Sequence, residues 1–398
     1  MVAALLSSGS HMSNVLFLGM PSHGHVNPTI GLVAELVRRG EHVTYFASEM
    51  FRSRIEGAGA TYRAYSSDLD LFKARKPGER SPMIGVFSKG VETVEDILNQ
   101  SEGFDYLIHS AAFPFTKPIA HVLGIPTVSS LAVFLGLDIF VNPPQEDPLL
   151  KNPEMREAYE RLSQEIHAKY SVTLPAGPLG LIYNHGDLNL VYTSRFFAGD
   201  VPYFDDTYSF VGPPVAERKE DIDFPFDQIE GKRVLYISLG TVFGSHTFCL
   251  YDVFFEAFAD WDGLVVMTAY RVDQTNFKPP ANFIIRDYVP QNAILRHATA
   301  AITHCGMNSM NDLIAHEVPF VALPMGADQP LLAARARELG ATVILDAEGV
   351  NALELRSAVN QVVEMPEYLK SIRQINESFR TAGGYPKAVD EIFALIRR

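Results

Sequence analysis

The feature that most limits what this chain can fold into is an alternation of short apolar runs with helix-patterned runs. It begins near residue 14 and begins again near residue 233. "NVLFLG" (14–19) reads as a buried strand, and "PTIGLVAELVRRG" (28–40) as a helix with Pro28 in its first turn and Gly40 beyond its end. "HVTYFAS" (42–48), "DYLIHS" (105–110) and "PTVSS" (126–130) continue as strands, with a helix over 52–60. The second series is "RVLYISLGT" (233–241), "LVVMTA" (264–269), "NFIIRDYV" (282–289), "AAITHC" (300–305) and "PFVALP" (319–324). Strand–helix–strand order of this kind makes parallel, doubly wound sheets, so the class is α/β with two Rossmann-like domains facing across a cleft. The stretch 145–190 reads as helices plus loops, and proline and charge in "VGPPVAERKEDIDFPFD" (211–227) read as a linker. The expected units are 13–215, a linker at 216–228, 229–380, and a C-terminal helix at 381–398. Residues 1–12 end in Gly9-Ser10-His11-Met12 and look like the remnant of an expression tag.

Composition narrows the function classes. Of 398 residues, 47% are hydrophobic and 20% charged, which suits a large folded core rather than disorder. A net charge of −14 argues against nucleic acid or an anionic membrane surface as partner. It does not argue against a nucleotide, which helix N-termini and a few donors can hold. The two cysteines, Cys249 and Cys305, form no CxxC pair, and the expectation is a reducing, cytoplasmic setting. No apolar run reaches the roughly 18–20 residues that span a bilayer.

Ligands of such sheets sit beyond the carboxyl ends of the strands, and several unusual stretches lie there. "PSHGHVNP" (21–28) follows the first strand. In "THCGMNSMND" (303–312) a strand runs into a helix near Asn308, whose N-terminal N–H groups and dipole suit phosphate. Gly306 permits close approach, His304, Asn308 and Ser309 offer donors, and Asp312 can accept from ribose hydroxyls. Asp328 and Gln329 in "LPMGADQP" (323–330) suit a sugar, Val289 and Gln291 can flank a base, and Thr241 can meet a phosphate. Plainer readings exist: Ser309-x-x-Asp312 also fits a capping-box variant, and Asp328 fits a helix cap.

The joint run His304, Gly306, Asn308, Ser309 and Asp312, then Pro319, Pro324 and Asp328-Gln329, resembles the donor signature of family 1 nucleotide-sugar glycosyltransferases of the GT-B fold. With "GHVNP" it is most similar to the bacterial macrolide branch, over the whole chain from Ser13. The resemblance implies an acceptor-binding first domain, a nucleotide-sugar-binding second domain, and a last helix that packs back on the first. It implies that Val289 and Gln291 pack near uracil, that Thr241, His304, Asn308 and Ser309 hold the diphosphate, and that Asp312 takes the ribose hydroxyls. The family usually has Glu at that last position. Asp328 and Gln329 would bind the sugar, and Gln there suggests glucose; a TDP-sugar stays open.

It further implies that His25 is the general base of an inverting transfer to an acceptor hydroxyl. The Asp that orients this base in the family falls at Ser110, and no Asp occurs between Asp105 and Asp138. The expected partners are a UDP-sugar and an apolar acceptor such as a polyphenol or polyketide, met by Phe113 and Phe134 among neighbouring aromatics including Phe115 and Phe140. No cofactor or metal is expected, and the chain should be a monomer or weak dimer. Two alternatives remain. A metal-dependent enzyme would need an Asp-x-Asp pair such as 68–70, 221–223 or 260–262. A nucleotide-sugar or aglycone binder that has lost turnover would suit Ser110. A nicotinamide enzyme is disfavoured because no GxGxxG follows a strand.

Overall fold

The computed structural model describes residues 12–71, 79–101, 103–132, 146–213, 222–240, 248–270, 272–275 and 277–397. The first sheet contains β1 (Asn14–Leu18), β2 (His42–Ala47), β3 (Thr61–Ala64), β4 (Tyr106–Ser110), β5 (Thr127–Leu131), β6 (Leu188–Val191) and β7 (Tyr208–Phe210). Their order is 3-2-1-4-5-6-7. The second contains β8 (Val234–Ser238), β9 (Leu264–Thr268), β10 (Phe283–Arg286), β11 (Ala298–Thr303), β12 (Phe320–Ala322) and β13 (Thr342–Ile344), in the order 10-9-8-11-12-13. Every pairing is parallel. Both orders reverse beside the first strand of the set, which opens a crevice at the carboxyl ends of β1 and β4 and of β8 and β11.

Several elements depart from the sequence reading. The first helix is His23–Arg38, with Pro28 inside it rather than in its first turn. Strand β6 begins at the end of the stretch 145–190 that read as helices and loops, where a helix does fill Pro153–Tyr170, and β7 follows at Tyr208–Phe210, a position at which no strand was expected. Strand β10 stops at Arg286, so Tyr288–Gln291 lead away from the sheet toward the crevice.

Each sheet buries both faces, as parallel sheets must. One apolar cluster joins Val15, Phe17 and Ile108 of the first sheet to Tyr236, Ala301 and Phe320 of the second, so the halves share a core. Direct bonds cross the same junction: Asn311 Nδ2 donates to the Tyr192 carbonyl at 3.1 Å, and Arg335 Nε to that of Phe197 at 2.8 Å.

The last helix, Gly384–Ile396, lies on the first helix. Tyr385 Oη donates to the Pro28 carbonyl at 2.8 Å, and its ring occupies the space where a side chain on Gly31 would begin. Ala388, Val389 and Ile392 are fully buried. A buried aliphatic side chain contributes about 1.5–3 kcal/mol, so deleting 384–398 should cost about 5 kcal/mol. That corresponds to a melting temperature lower by on the order of 10 °C. Scanning calorimetry checks this; an unchanged melting temperature would show that the helix adds nothing to stability.

Candidate active site

Strands β1 and β4 are neighbours, and both end at the crevice. The chain leaves β1, turns, and starts a helix at His23, so His25 lies in the first helical turn. Ser110 ends β4 and shares a face with Ile108, which packs with Val26 and Leu32 of that helix. Ser110 therefore lies beneath the first turn, its Oγ 3.1 Å from His25 Nδ1. The same Oγ accepts the Ala112 N–H at 3.3 Å. Burial pushes the pKa of His25 down to about 4, and the positive end of the helix acts in the same direction. The imidazole is thus neutral at pH 7, with Nε2 as the ring nitrogen not facing Ser110.

Across the crevice, β11 ends at Thr303 and His304 follows. Its ring fits a slot between two glycines. A Cβ on Gly240 would lie 2.4 Å from His304 Nε2, and one on Gly306 2.5 Å. Gly240 also has φ +76°, so both its backbone and its lack of a side chain are required there. Burial lowers His304 to about 4, which makes it a neutral hydrogen-bonding group rather than a cation. Its Nδ1 is buried with no hydrogen-bond partner among the described residues. Cys305 is held at φ 64°, an unfavourable left-handed conformation for a residue with a Cβ.

The helix Met307–Ala315 starts from Gly306 with no side-chain cap, so its first-turn N–H groups face the crevice uncapped. Ser309 lies inside the helix, and the capping-box reading of Ser309 and Asp312 fails. Asp312 is only 6% exposed and accepts from Gln291 Nε2 at 2.7 Å. Gln291 Oε1 in turn accepts from Tyr236 Oη at 3.0 Å. Tyr236 was hidden from sequence reasoning because a tyrosine within a strand reads as core.

Asp328 holds the N-cap position of the helix Gln329–Glu338, but its side chain makes no capping bond. Burial raises its pKa to about 6. Gln329 is 4% exposed, and its Oε1 holds the Met325 and Gly326 N–H groups at 2.9 and 3.3 Å. Its amide nitrogen makes no hydrogen bond among the described residues. Tyr183 of the first domain comes near: burial, then the charge of Asp328, raises its phenol to about 12. His23 also faces the second domain, its ring 6.3 Å from that of Tyr288.

Some expected residues do not join the site. Val289 is 2% exposed and packs in the core, so its side chain offers no open face to a base. Phe113 is fully buried, stacked on Tyr65 at 5.6 Å and edge-on to Phe115 at 6.1 Å, so it is a core residue rather than an acceptor wall. Thr241, Phe134 and Phe140 lie outside the described residues. Of the acidic triplets, Asp260 pairs with Arg356 just before β9, at the amino ends of the strands, far from the crevice. Asp68 Oδ1 caps the Asp70 N–H in a turn, and 221–223 begins outside the described residues. Among the described residues, no helix is long and apolar enough to cross a membrane.

This geometry coincides with sequence and structural kinship. Residues 224–380 match the family "UDP-glucoronosyl and UDP-glucosyl transferase". The chain is 35% identical over 400 residues to the uncharacterized UDP-glucosyltransferase YdhE of Bacillus subtilis, covering 97% of this chain and 99% of that one. It is 25% identical to oleandomycin glycosyltransferase of Streptomyces antibioticus, covering 96% of this chain and 90% of that one. The glycotransferase of kitacinnamycin superposes with a TM-score of 0.79 at 23% identity, covering 96% and 98% of the two chains, and shares the fold. The chain belongs to the UDP-glucuronosyl and UDP-glucosyl transferase family. It is a UDP-dependent glycosyltransferase of the GT-B fold, of the bacterial macrolide type.

Proposed function

We propose that the protein transfers glucose from UDP-glucose to a hydroxyl of an apolar natural product, a polyphenol or polyketide, with inversion at the anomeric carbon. The observation that carries this reading is the His25–Ser110 pair, 3.1 Å apart, on the turn that faces the uncapped donor helix. His25 Nε2 takes the acceptor proton as the acceptor oxygen attacks C1, and UDP leaves from the opposite face. The uncapped helix N-terminus, His304, Asn308, Ser309 and Thr241 hold the diphosphate; Gln291 and Asp312 meet the nucleoside; Asp328 and the Gln329 amide hold the glucose hydroxyls. Neutral donors and a helix dipole stabilise the leaving diphosphate without a metal. The apolar acceptor class is supported by kinship to an oleandomycin glycosyltransferase.

The test is a transfer assay with UDP-glucose, excess chelator, and matched phenolic and macrolide acceptors, with the anomeric coupling constant of the product read by NMR. A β-glucoside is expected. An α-glucoside would overturn the inverting mechanism. UDP binding without transfer to any acceptor would favour the binder reading that Ser110 invites.

The sugar contact should be separable from the nucleotide contact. Asp328→Ala should raise KM for UDP-glucose about tenfold or more, as expected when a hydrogen bond to a charged group is lost. UDP affinity should change little. Because the carboxyl group titrates near 6, KM for the wild type should also rise as pH falls through that value. Calorimetry with UDP beside steady-state kinetics checks both; equal weakening of UDP would place Asp328 elsewhere.

A further inference from the structure

The first helix carries a proline at an interior position, which removes one backbone hydrogen bond. The carbonyl that residue 28 would serve is that of Gly24, four residues back. Pro28 has no N–H, so this carbonyl lacks its α-helical partner. It is not left without one: Asn308 Nδ2, from the donor helix across the crevice, donates to it at 3.1 Å. Gly24 is the residue immediately before His25. A defect in one helix has become the attachment point of the other.

We infer that Asn308 is a positioning residue for His25. An amide nitrogen has two N–H groups. One holds the Gly24 carbonyl and so fixes the turn that carries the base. The other serves a diphosphate oxygen, a role that rests on the donor site proposed above. The same side chain therefore aligns the base when the donor is bound, and Pro28 is the residue that frees the carbonyl for it. Misplacement of a catalytic group by about 1 Å can cost on the order of 10²-fold in rate, so this single bond is enough to matter.

The test uses Asn308→Ala and Pro28→Ala, with UDP affinity from calorimetry and kcat at saturating UDP-glucose. Asn308→Ala should weaken UDP about tenfold and lower kcat by roughly 10- to 100-fold. Pro28→Ala supplies an N–H that competes for the Gly24 carbonyl. It should lower kcat about tenfold, leave UDP affinity unchanged and raise the melting temperature, because a proline inside a helix destabilises it relative to alanine. Loss of kcat together with gain of stability is an outcome a merely structural role does not produce. Asn308→Asp keeps the shape and removes both donors, so it should also lose kcat. If Asn308→Ala weakens UDP and keeps kcat, the tie to His25 is overturned while the donor site stands. If kcat falls and UDP affinity does not, the tie stands and the diphosphate contact is overturned. Unchanged kcat in both Asn308→Asp and Pro28→Ala would reject the inference outright.

Discussion

His25→Ala is expected to lower transfer by about 10²–10⁴-fold while leaving UDP affinity within a factor of about two. The split follows from where the residue sits. His25 is carried by the first domain, and the proposed diphosphate and sugar contacts, Asn308, Ser309 and Asp328, come from the second. Removing the imidazole deletes the only proposed proton acceptor without touching a donor contact. The neighbouring Gly24 carbonyl, which Asn308 holds, is backbone and survives the substitution. Steady-state turnover and calorimetry on the same preparation check the result. A His25→Ala protein that no longer binds UDP would mean that the two halves of the site are not independent.

Ser110→Asp is expected to raise turnover on aliphatic alcohol acceptors by roughly tenfold or more, and on phenols by less. A carboxylate only accepts. At 110 it would fix Nδ1–H, leave the Nε2 lone pair for the acceptor proton, and stabilise the imidazolium formed during attack. The serine hydroxyl does this incompletely. One lone pair is engaged by the Ala112 N–H, and the hydroxyl can either accept from His25 Nδ1 or donate to it. Donation selects the tautomer whose Nε2 already bears a proton, which is the wrong one for a base. Phenols ionise near pH 10 and depend less on the base, so the present serine suits them better than alcohols. The same substitution should bring the acid limb of the rate profile up toward pH 6–7, because a nearby negative charge favours imidazolium. Turnover on matched alcohol and phenol acceptors for both proteins decides it; no change on either would show that another group orients His25.

Much of this architecture was legible in the residues. Long strands buried on both faces announce themselves by apolar runs, and the expected doubly wound domains are present. The stretches at 21–28, 303–312 and 323–330 do converge on one crevice, because each follows the carboxyl end of a strand. What escaped has physical causes. A proline near a helix start reads as its first residue, whereas here five helical residues precede Pro28. Strands as short as Leu188–Val191 carry too little pattern to stand out. Phe113 read as a candidate acceptor wall because an aromatic near a strand end carries no mark of which side it faces; packing against Tyr65 and Phe115 buries it. The Tyr236–Gln291–Asp312 chain joins residues 55 and 21 positions apart, a contact that only the folded sheet creates.

In the proposed reaction a desolvated, neutral His25, supported by a serine rather than a carboxylate, accepts the acceptor proton. The most direct test of that role is kcat/KM for a non-ionising alcohol acceptor at saturating UDP-glucose between pH 6 and 8.5. Because burial places His25 near 4, the profile should be flat over that range. An imidazole of ordinary pKa near 6.5, by contrast, would lose about fourfold at its acid end. A flat profile that Ser110→Asp converts into one falling below pH 7 is the predicted result. A wild-type profile already falling about fourfold toward pH 6 would show that His25 is not a desolvated, neutral base.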